Sequence, residues 1–513
     1  MDNSEEPIKQ IARGAMIIFI GTFISKLLSY LFRLVSARLG SADYGLLTLA
    51  ISIIVMVSIF VTLGLDHGIY RYVAYYKEKN LPGKVKGTIY STIKWTMLAS
   101  VIATAILFFA SDFITARFFP NMDQYKLSTM LKIISLSIPF LSLSKMLNTS
   151  FKSFQRPEYE MYTKNIAEPL SKFLLTLAFV LLGFGIIIVS SAYVAAVAIS
   201  SLIGILLLKK LLNKYVGNAK SEYSNKELFR YSLPLIFIGL FLTLTTSVDT
   251  FMLGHYKTEA EVGIYNAATP TAMLIYMFPY AILALFLPVL MGLDVREEKK
   301  AFEDVYKTVT KWIFLVNLIL ASIFAIYSKE VLSIFFGQEY AAGSTVLVIL
   351  LCGFFVNFLF YPAENVLLIH KKSKWIFYNS AATTVLNIIL NYTLIPKYSI
   401  EGAAVATSIS FAVWGTLNLI ESYYLTRIMP FKASYVKIIF SVAIGSLAFL
   451  KLKPYFAVSN LLILGLAASG MVILVFMLLL LTRSFEKDDK LIFKIIKRKM
   501  GIKSETIDNY LRD

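Results

Sequence analysis

The chain has 513 residues, of which 57% are hydrophobic and 16% charged, with a formal net charge of +18. That apolarity excludes an ordinary soluble domain and a disordered chain, and it points to a polytopic membrane protein. A net positive charge by itself would suit nucleic acid, but the way the basic residues are distributed along this chain does not.

Apolar runs of about 20 residues recur along the sequence, giving about fourteen expected spans and an all-α membrane fold. Their centres lie near Ser25, Val55, Ser100, Pro139, Leu175, Ala198, Phe241, Tyr276, Val316, Phe355, Thr384, Ala412, Ala443 and Ile473. The loops between them alternate in charge. Expected inner segments carry clusters such as Lys209, Lys210, Lys214, Lys220 and Lys226, or Arg296, Lys299, Lys300, Lys307 and Lys311. Expected outer segments hold only Arg38, Arg117, Lys126, Lys257, Lys329, Lys397, Lys451 and Lys453. This positive-inside bias predicts a multi-pass plasma-membrane protein with both termini in the cytoplasm, in contact with membrane lipids and not with nucleic acid. The single cysteine, Cys352, excludes an intrachain disulfide and a cysteine-built metal site. His67, His255 and His370 are far apart in sequence and read as interfacial residues, so neither a metal nor another cofactor is expected.

In chain order, the first apolar run, Gly14 to Gly40, carries Lys26 near its middle and Arg33 two turns later. At about 100° per residue, Thr22, Lys26, Ser29, Tyr30 and Arg33 share one stripe, with Ile17, Ile24, Leu28, Leu31 and Val35 on the other side. A charge near mid-bilayer costs about 3 kcal/mol on insertion scales, so such groups face a bundle interior or a wet cavity. This helix therefore reads as one wall of a polar cavity. Its full length and the lack of a small-residue cleavage site argue against a cleavable signal peptide. The short amino-terminal lead, Met1 to Arg13, is expected along the inner surface. After the second span, Arg71 lies in an aromatic and basic segment, Tyr70 to Tyr76, at inner headgroup depth. An interfacial anchor is the simpler reading for Arg71, and a ligand contact at the inner mouth is the alternative.

Further intramembrane cations are Lys94, Lys132, Lys145, Lys164 and Lys172. The first four lie near span ends, where snorkelling accounts for them. Lys172 is deeper. Lys164, Glu168 and Lys172 share one helix face at i, i+4 and i+8, so Glu168 is in reach of either lysine, and a self-neutralising structural network is the plain alternative to a binding role. Pro169 cannot donate to the helix ladder and predicts a bend there. In the second half, Asp249 is placed to partner a first-half cation or to take a proton or sodium ion as coupling ion. Pro270, Pro279 and Pro288 suggest a repeatedly bent eighth span.

Two sets of strings echo each other. Met252-Leu-Gly254 and Val262-Gly-Ile-Tyr265 repeat Arg38-Leu-Gly40 and Tyr44-Gly-Leu-Leu47, and Gly402 to Ser410 repeats Ala192 to Ser200, at offsets of roughly 210 to 218 residues. A duplicated six-span unit follows, with parallel copies related by an axis along the membrane normal. The expected organisation is an amino-terminal lobe over 1–208, a linker over 209–229, a second lobe over 230–427, two extra helices over 428–483, and a basic amphipathic tail over 484–513 with Leu491, Ile492, Ile495 and Ile496 on one side.

No P-loop, GxSxG elbow, HExxH motif or pair of outer-loop carboxylates suited to a nucleotide-sugar metal site occurs, so an enzyme is not expected. A cavity holding fixed cations suits an anionic cargo, because Arg and Lys bind phosphate oxygens through charge-assisted hydrogen bonds. The run Arg38 to Leu47, the segment Gly64 to Ala74 and above all Leu394-Ile-Pro-Lys-Tyr-Ser-Ile-Glu-Gly-Ala-Ala-Val-Ala-Thr407 resemble polysaccharide-biosynthesis flippases of the multidrug/oligosaccharidyl-lipid/polysaccharide superfamily. The resemblance implies a two-lobed helical transporter that moves polyprenyl-linked saccharides from the inner to the outer leaflet by alternating access. Members of the related lipid II flippase branch also carry two extra carboxy-terminal spans. On this reading Lys26, Arg33 and Lys172 hold the cargo phosphate. The rivals are a cation-coupled drug exporter of the same fold, centred on Asp249 and Glu168, and a membrane glycosyltransferase or polymerase, for which the longest outer loop offers only Asp112 and Asp123.

Overall fold

A backbone in hydrocarbon must satisfy its own hydrogen bonds, and for a single chain without a closed barrel this means helices. The computed structural model describes residues 5–455, 458–484 and 489, and among them there is no strand. In chain order the helices are α1 (Glu5–Ala37), α2 (Ser41–Val61), α3 (Leu65–Glu78), α4 (Pro82–Phe118), α5 (Gln124–Ser135), α6 (Ile138–Ser153), α7 (Pro157–Glu160), α8 (Glu168–Leu181), α9 (Ile186–Tyr215) and α10 (Asn225–Ser232). They continue with α11 (Ile236–Tyr256), α12 (Glu259–Ala272), α13 (Met277–Val295), α14 (Lys299–Ile326), α15 (Ser328–Phe335), α16 (Ser344–Leu359), α17 (Tyr361–Ile369), α18 (Ser373–Thr426), α19 (Ser434–Leu452) and α20 (Leu461–Leu481).

Helical backbone occupies all fourteen expected span centres. Among the described residues eight spans are long and apolar enough to cross a membrane as they stand, and the number rises to ten if α5 with α6 and the bent stretch from α12 through α13 each make one crossing. The other expected spans fall on α1, α8, α11 and the second arm of α18. The α5/α6 pair bends by 41°, and the α12–α13 stretch by 45° between Leu283 and Phe286. In the latter, Pro270 and Pro288 lie inside helices, with a 3-10 turn at Met273–Tyr276 between them. Of the three prolines, Pro288 stands nearest that bend. Residues Glu5 to Arg13 continue into α1 without a break.

Two compact units emerge. The first comprises residues 1–270, 335–343 and 384–406; the second comprises 271–334, 344–383 and 407–513. Inside the first, the glycines of the family-like strings are packing devices. Gly45 on α2 and Gly263 on α12 lie back to back: a Cβ on Gly45 would collide with the Glu259 carbonyl, and one on Gly263 with the Ser41 carbonyl. The contact is reciprocal, and it joins the two strings whose echo suggests duplication. Small residues at such crossings let helix backbones approach closely. Gly64, at φ 65°, begins α3 and leaves no room for a side chain against the Ser232 carbonyl.

The Leu394–Thr407 string forms the joint of α18. Ser399 takes φ 51° and ψ −132°, a strained value for a residue with a side chain. Its hydroxyl binds the Glu261 carboxylate. Gly402 lies where any Cβ would meet the Leu394 carbonyl. In the second unit, Lys311 on α14 binds Asp489 at 2.6 Å and the Ser484 carbonyl at 3.0 Å, and the Trp312 indole donates to the same carboxylate at 2.9 Å. Asp489 is therefore buried, not solvated as expected of a charged tail. The rest of that amphipathic pattern, Leu491 to Ile496, lies outside the described residues.

Replacing Gly45 or Gly263 with Leu should cost at least about 1–3 kcal/mol, the usual range for overpacking. A fall in the thermal unfolding midpoint in detergent, absent for the same change at unobstructed Gly465, would register it.

Candidate functional site

Within the first unit, α1 lies against α8 and the segment before it. Gly21 permits this approach, since a Cβ there would stand 2.6 Å from Met161 Cγ and 3.1 Å from Asn165 Nδ2. The facing segment, Met161–Ala167, is π-helical and ends just before Glu168 and Pro169. Proline lacks the N–H that an α-helical turn needs, and a wider turn immediately before it accommodates the loss.

Most of the expected intramembrane cations have carboxylate partners. Lys132 pairs with Asp112 at 2.8 Å and Lys145 with Asp66 at 3.0 Å. Lys164 lies 4.0 Å from Glu160, which Lys152 approaches to 3.1 Å. Lys172 binds Glu168 at 3.3 Å, so the trio on this helix divides, with Glu168 taking the deeper lysine. The Lys172 ammonium also stands 4.3 Å from the centre of the Tyr193 ring and 5.8 Å from that of Phe32.

Two cations on α1 differ from these. Arg33 donates to the Tyr44 hydroxyl at 3.3 Å and has no carboxylate partner among the described residues. Lys26 is exposed, with no hydrogen bond or ion pair among the described residues, and the charged groups that act on it are Arg33 and Lys164, both positive. The stripe expected on α1 thus presents uncompensated positive charge.

Tyr44 is fully buried at the start of α2 and links Arg33 to α12, donating to the Asn266 carbonyl at 3.3 Å. Its ring packs edge-on against Tyr340, which donates to the Ala37 carbonyl at 2.9 Å. Glu339 accepts from the Ser41 N–H at 3.0 Å and the Ser41 hydroxyl at 2.7 Å, capping α2 where a helix favours negative charge. One residue along from Asn266, the Tyr265 hydroxyl donates to Asp249 at 2.6 Å. Asn391 donates to the other oxygen of that carboxylate at 2.6 Å and to Asn387 at 3.0 Å. Thr250, next to Asp249, donates to the Asn266 side chain at 3.2 Å. Arg33 and Asp249 therefore belong to adjoining parts of one polar network.

Arg71 keeps different company. Its guanidinium stands 4.4 Å from the centre of the Tyr231 ring and 5.7 Å from that of Tyr72, the arrangement of an aromatic anchor. Both candidate outer-loop carboxylates have structural partners: Asp112 binds Lys132 and Ser128, and Asp123 caps α5 through the Lys126 N–H at 2.9 Å.

Sequence reasoning did not single out Tyr44, Tyr265, Asn266 or Asn391. Asn387 and Asn391 left a readable trace, as paired amides one turn apart in an apolar run. Tyr44 left none, since it stands in a Gly-rich turn whose reversal needs no tyrosine.

The family model described as polysaccharide biosynthesis protein matches residues 11–293. The chain belongs to that family. The MatE model also matches, over residues 234–393. An uncharacterised membrane protein of Methanocaldococcus jannaschii is 25% identical over 82% of this chain and 86% of its own length. A probable low-salt glycan biosynthesis flippase of Haloferax volcanii is 27% identical over 50% of this chain and 54% of its own. Among solved structures, lipid II flippase MurJ in an inward closed conformation aligns with a TM-score of 0.68 at 16% identity, covering 95% of this chain and all of that one. The polysaccharide biosynthesis member is thus a multi-pass membrane protein with a transporter fold.

Replacing Asp249 with Ala would take one acceptor from the Tyr265 hydroxyl and one from the Asn391 amide, which keeps Asn387. The expected loss is about 1–3 kcal/mol for the two hydrogen bonds together, read as a lower unfolding midpoint, with Tyr265→Phe costing less because it removes one donor and leaves the carboxylate its amide.

Proposed function

We propose that this protein is a flippase for a saccharide linked to a polyprenyl phosphate or diphosphate, moving it from the inner to the outer leaflet for cell-surface glycan assembly. The observation that carries the reading is the pair on α1: among the described residues, Lys26 has no counter-ion and Arg33 is held by a phenol and no carboxylate. Such groups in a spanning helix call for an anion, and phosphate is the anion that a lipid-linked sugar supplies. Support also comes from relatives named as a probable glycan biosynthesis flippase and as a putative O-antigen transporter of Shigella flexneri.

In this reading Lys26 and Arg33 bind the phosphate, and Lys172, already paired with Glu168, borders the site. Arg71 stands at the inner mouth. Lobes over 1–208 and 230–427, joined by the 209–229 linker, rock about the cargo in the plasma membrane, with both termini cytoplasmic. Only cargo that binds the two states unequally can bias that motion. Asp249, held by Tyr265 and Asn391, is the coupling-ion candidate for H⁺ or Na⁺, and its network adjoins the one that holds Arg33. The exporter alternative draws less support, because Glu168 is already paired with a lysine.

In proteoliposomes loaded with a lipid-linked saccharide, Lys26→Ala and Arg33→Ala should each reduce transfer at least tenfold while inserting normally. Wild-type transfer by both variants would overturn the assignment.

A further inference from the structure

Away from the cations of α1, the first unit contains a cleft of about 500 Å³ where α3 ends, α4 begins and α9 ends. Two helices long and apolar enough to cross a membrane end here, Pro82–Phe118 at its start and Ile186–Tyr215 at its close, and their basic ends, with Lys84, Lys86, Lys209, Lys210 and Lys214, mark the side expected to face the cytoplasm. Its floor is apolar: Leu81, Val85 and Val216 line it, with Phe154 stacked on Tyr215 at 5.2 Å between ring centres. Around that floor stand cations. Lys77 lines the cleft and lies 5.3 Å from the centre of the Tyr215 ring; Lys214, just beyond the lining, lies 5.6 Å from the same centre, and Arg156 is close enough to the Tyr215 hydroxyl to act on it. Against them stand Glu78 in the lining and Glu158, which Arg156 binds at 3.1 Å. Positive charge remains in excess.

The wall of this cleft is preorganised. Beyond α9 the chain turns at Gly217, φ 54°, and folds back along α4. The Glu222 N–H donates to the Gly83 carbonyl at 2.9 Å, and the Lys86 ammonium to the Ala219 carbonyl at 3.1 Å. Gly87 has no room for a Cβ against the Glu222 backbone. These contacts hold the segment that follows Tyr215 and Lys214.

We propose that this cleft is a binding site for one anionic membrane phospholipid. Its phosphodiester sits between Lys77 and Lys214, and its glycerol and upper acyl carbons lie on the Phe154–Tyr215 floor. An aromatic floor with a cationic rim at the end of spanning helices matches a lipid that is apolar below and singly negative above, and a zwitterionic lipid would bring its own cation against the lysines. The site is separate from Lys26 and Arg33, and its occupancy is independent of transport.

The test is native mass spectrometry of the full chain ejected from nanodiscs containing phosphatidylcholine with graded phosphatidylglycerol. Wild type should retain one phosphatidylglycerol more than Lys77→Ala/Lys214→Ala, whose retention at that site should fall about tenfold, with phosphatidylcholine adducts unchanged. The charge-keeping Lys77→Arg/Lys214→Arg should bind as wild type does. Lys214→Glu, at an exposed position, repeats the test without disturbing packing. Equal retention by wild type and both charge-removing variants would overturn the proposal. Equal retention of the two lipids by wild type, or displacement of phosphatidylglycerol by inorganic phosphate, would do the same.

Discussion

An ammonium or guanidinium in a spanning helix must find water, a carboxylate or a ligand, because hydrocarbon offers none of the solvation it loses. This constraint orders the first unit. Four of the seven expected intramembrane cations meet it with carboxylates, Lys132 and Lys145 on neighbouring helices and Lys164 and Lys172 one turn away along their own. Among the described residues Arg33 meets it with the Tyr44 phenol and no carboxylate, and Lys26 stands exposed beside like charges. Lys94 is exposed and also has no ion pair among the described residues, but it lies near an expected span end, so pairing and depth together separate the structural cations from the candidate binding surface.

The helix packing serves the same end. Gly45 and Gly263 bring α2 and α12 into backbone contact, and that approach places Tyr44 within reach of the Asn266 carbonyl. Glu339 and Tyr340 secure the turn between α1 and α2 from the other side. Arg33 is thereby presented by a tyrosine that is itself fixed from two directions. Asp249 is held by the next residue of α12 and by α18, so a change in its hydrogen bonds has a short path to Tyr44. Differential affinity for two arrangements of such a network is the physical basis on which a bound ion could bias cargo binding.

Much of this was legible in the sequence, because the signals were local. Apolar run length located helices at every expected centre, and the 3.6-residue period placed Lys26 and Arg33 on one stripe. The i, i+4 spacing put Glu168 in reach of Lys172. Other features were not legible, because they depend on contacts between distant segments. The Asp66 partner of Lys145 and the Asp112 partner of Lys132 lie in other helices, so snorkelling was the only account the sequence offered for these lysines. The close approach that Gly45 and Gly263 permit is set for each by a segment distant in the chain. Asp489 reads as one charge in a solvated tail, yet Lys311, 178 positions earlier, binds it in the interior.

The central claim is that the uncompensated cations of α1 hold a lipid phosphate. It is tested most directly by native mass spectrometry of the purified protein after exposure to a lipid extract from its own host. A polyprenyl phosphate or diphosphate saccharide retained by the wild type, and lost when Lys26 and Arg33 are both replaced by Ala, is the predicted result. Retention of that lipid by the double variant at the wild-type level would contradict it, as would binding of organic cations that depends on Asp249 in place of the lipid.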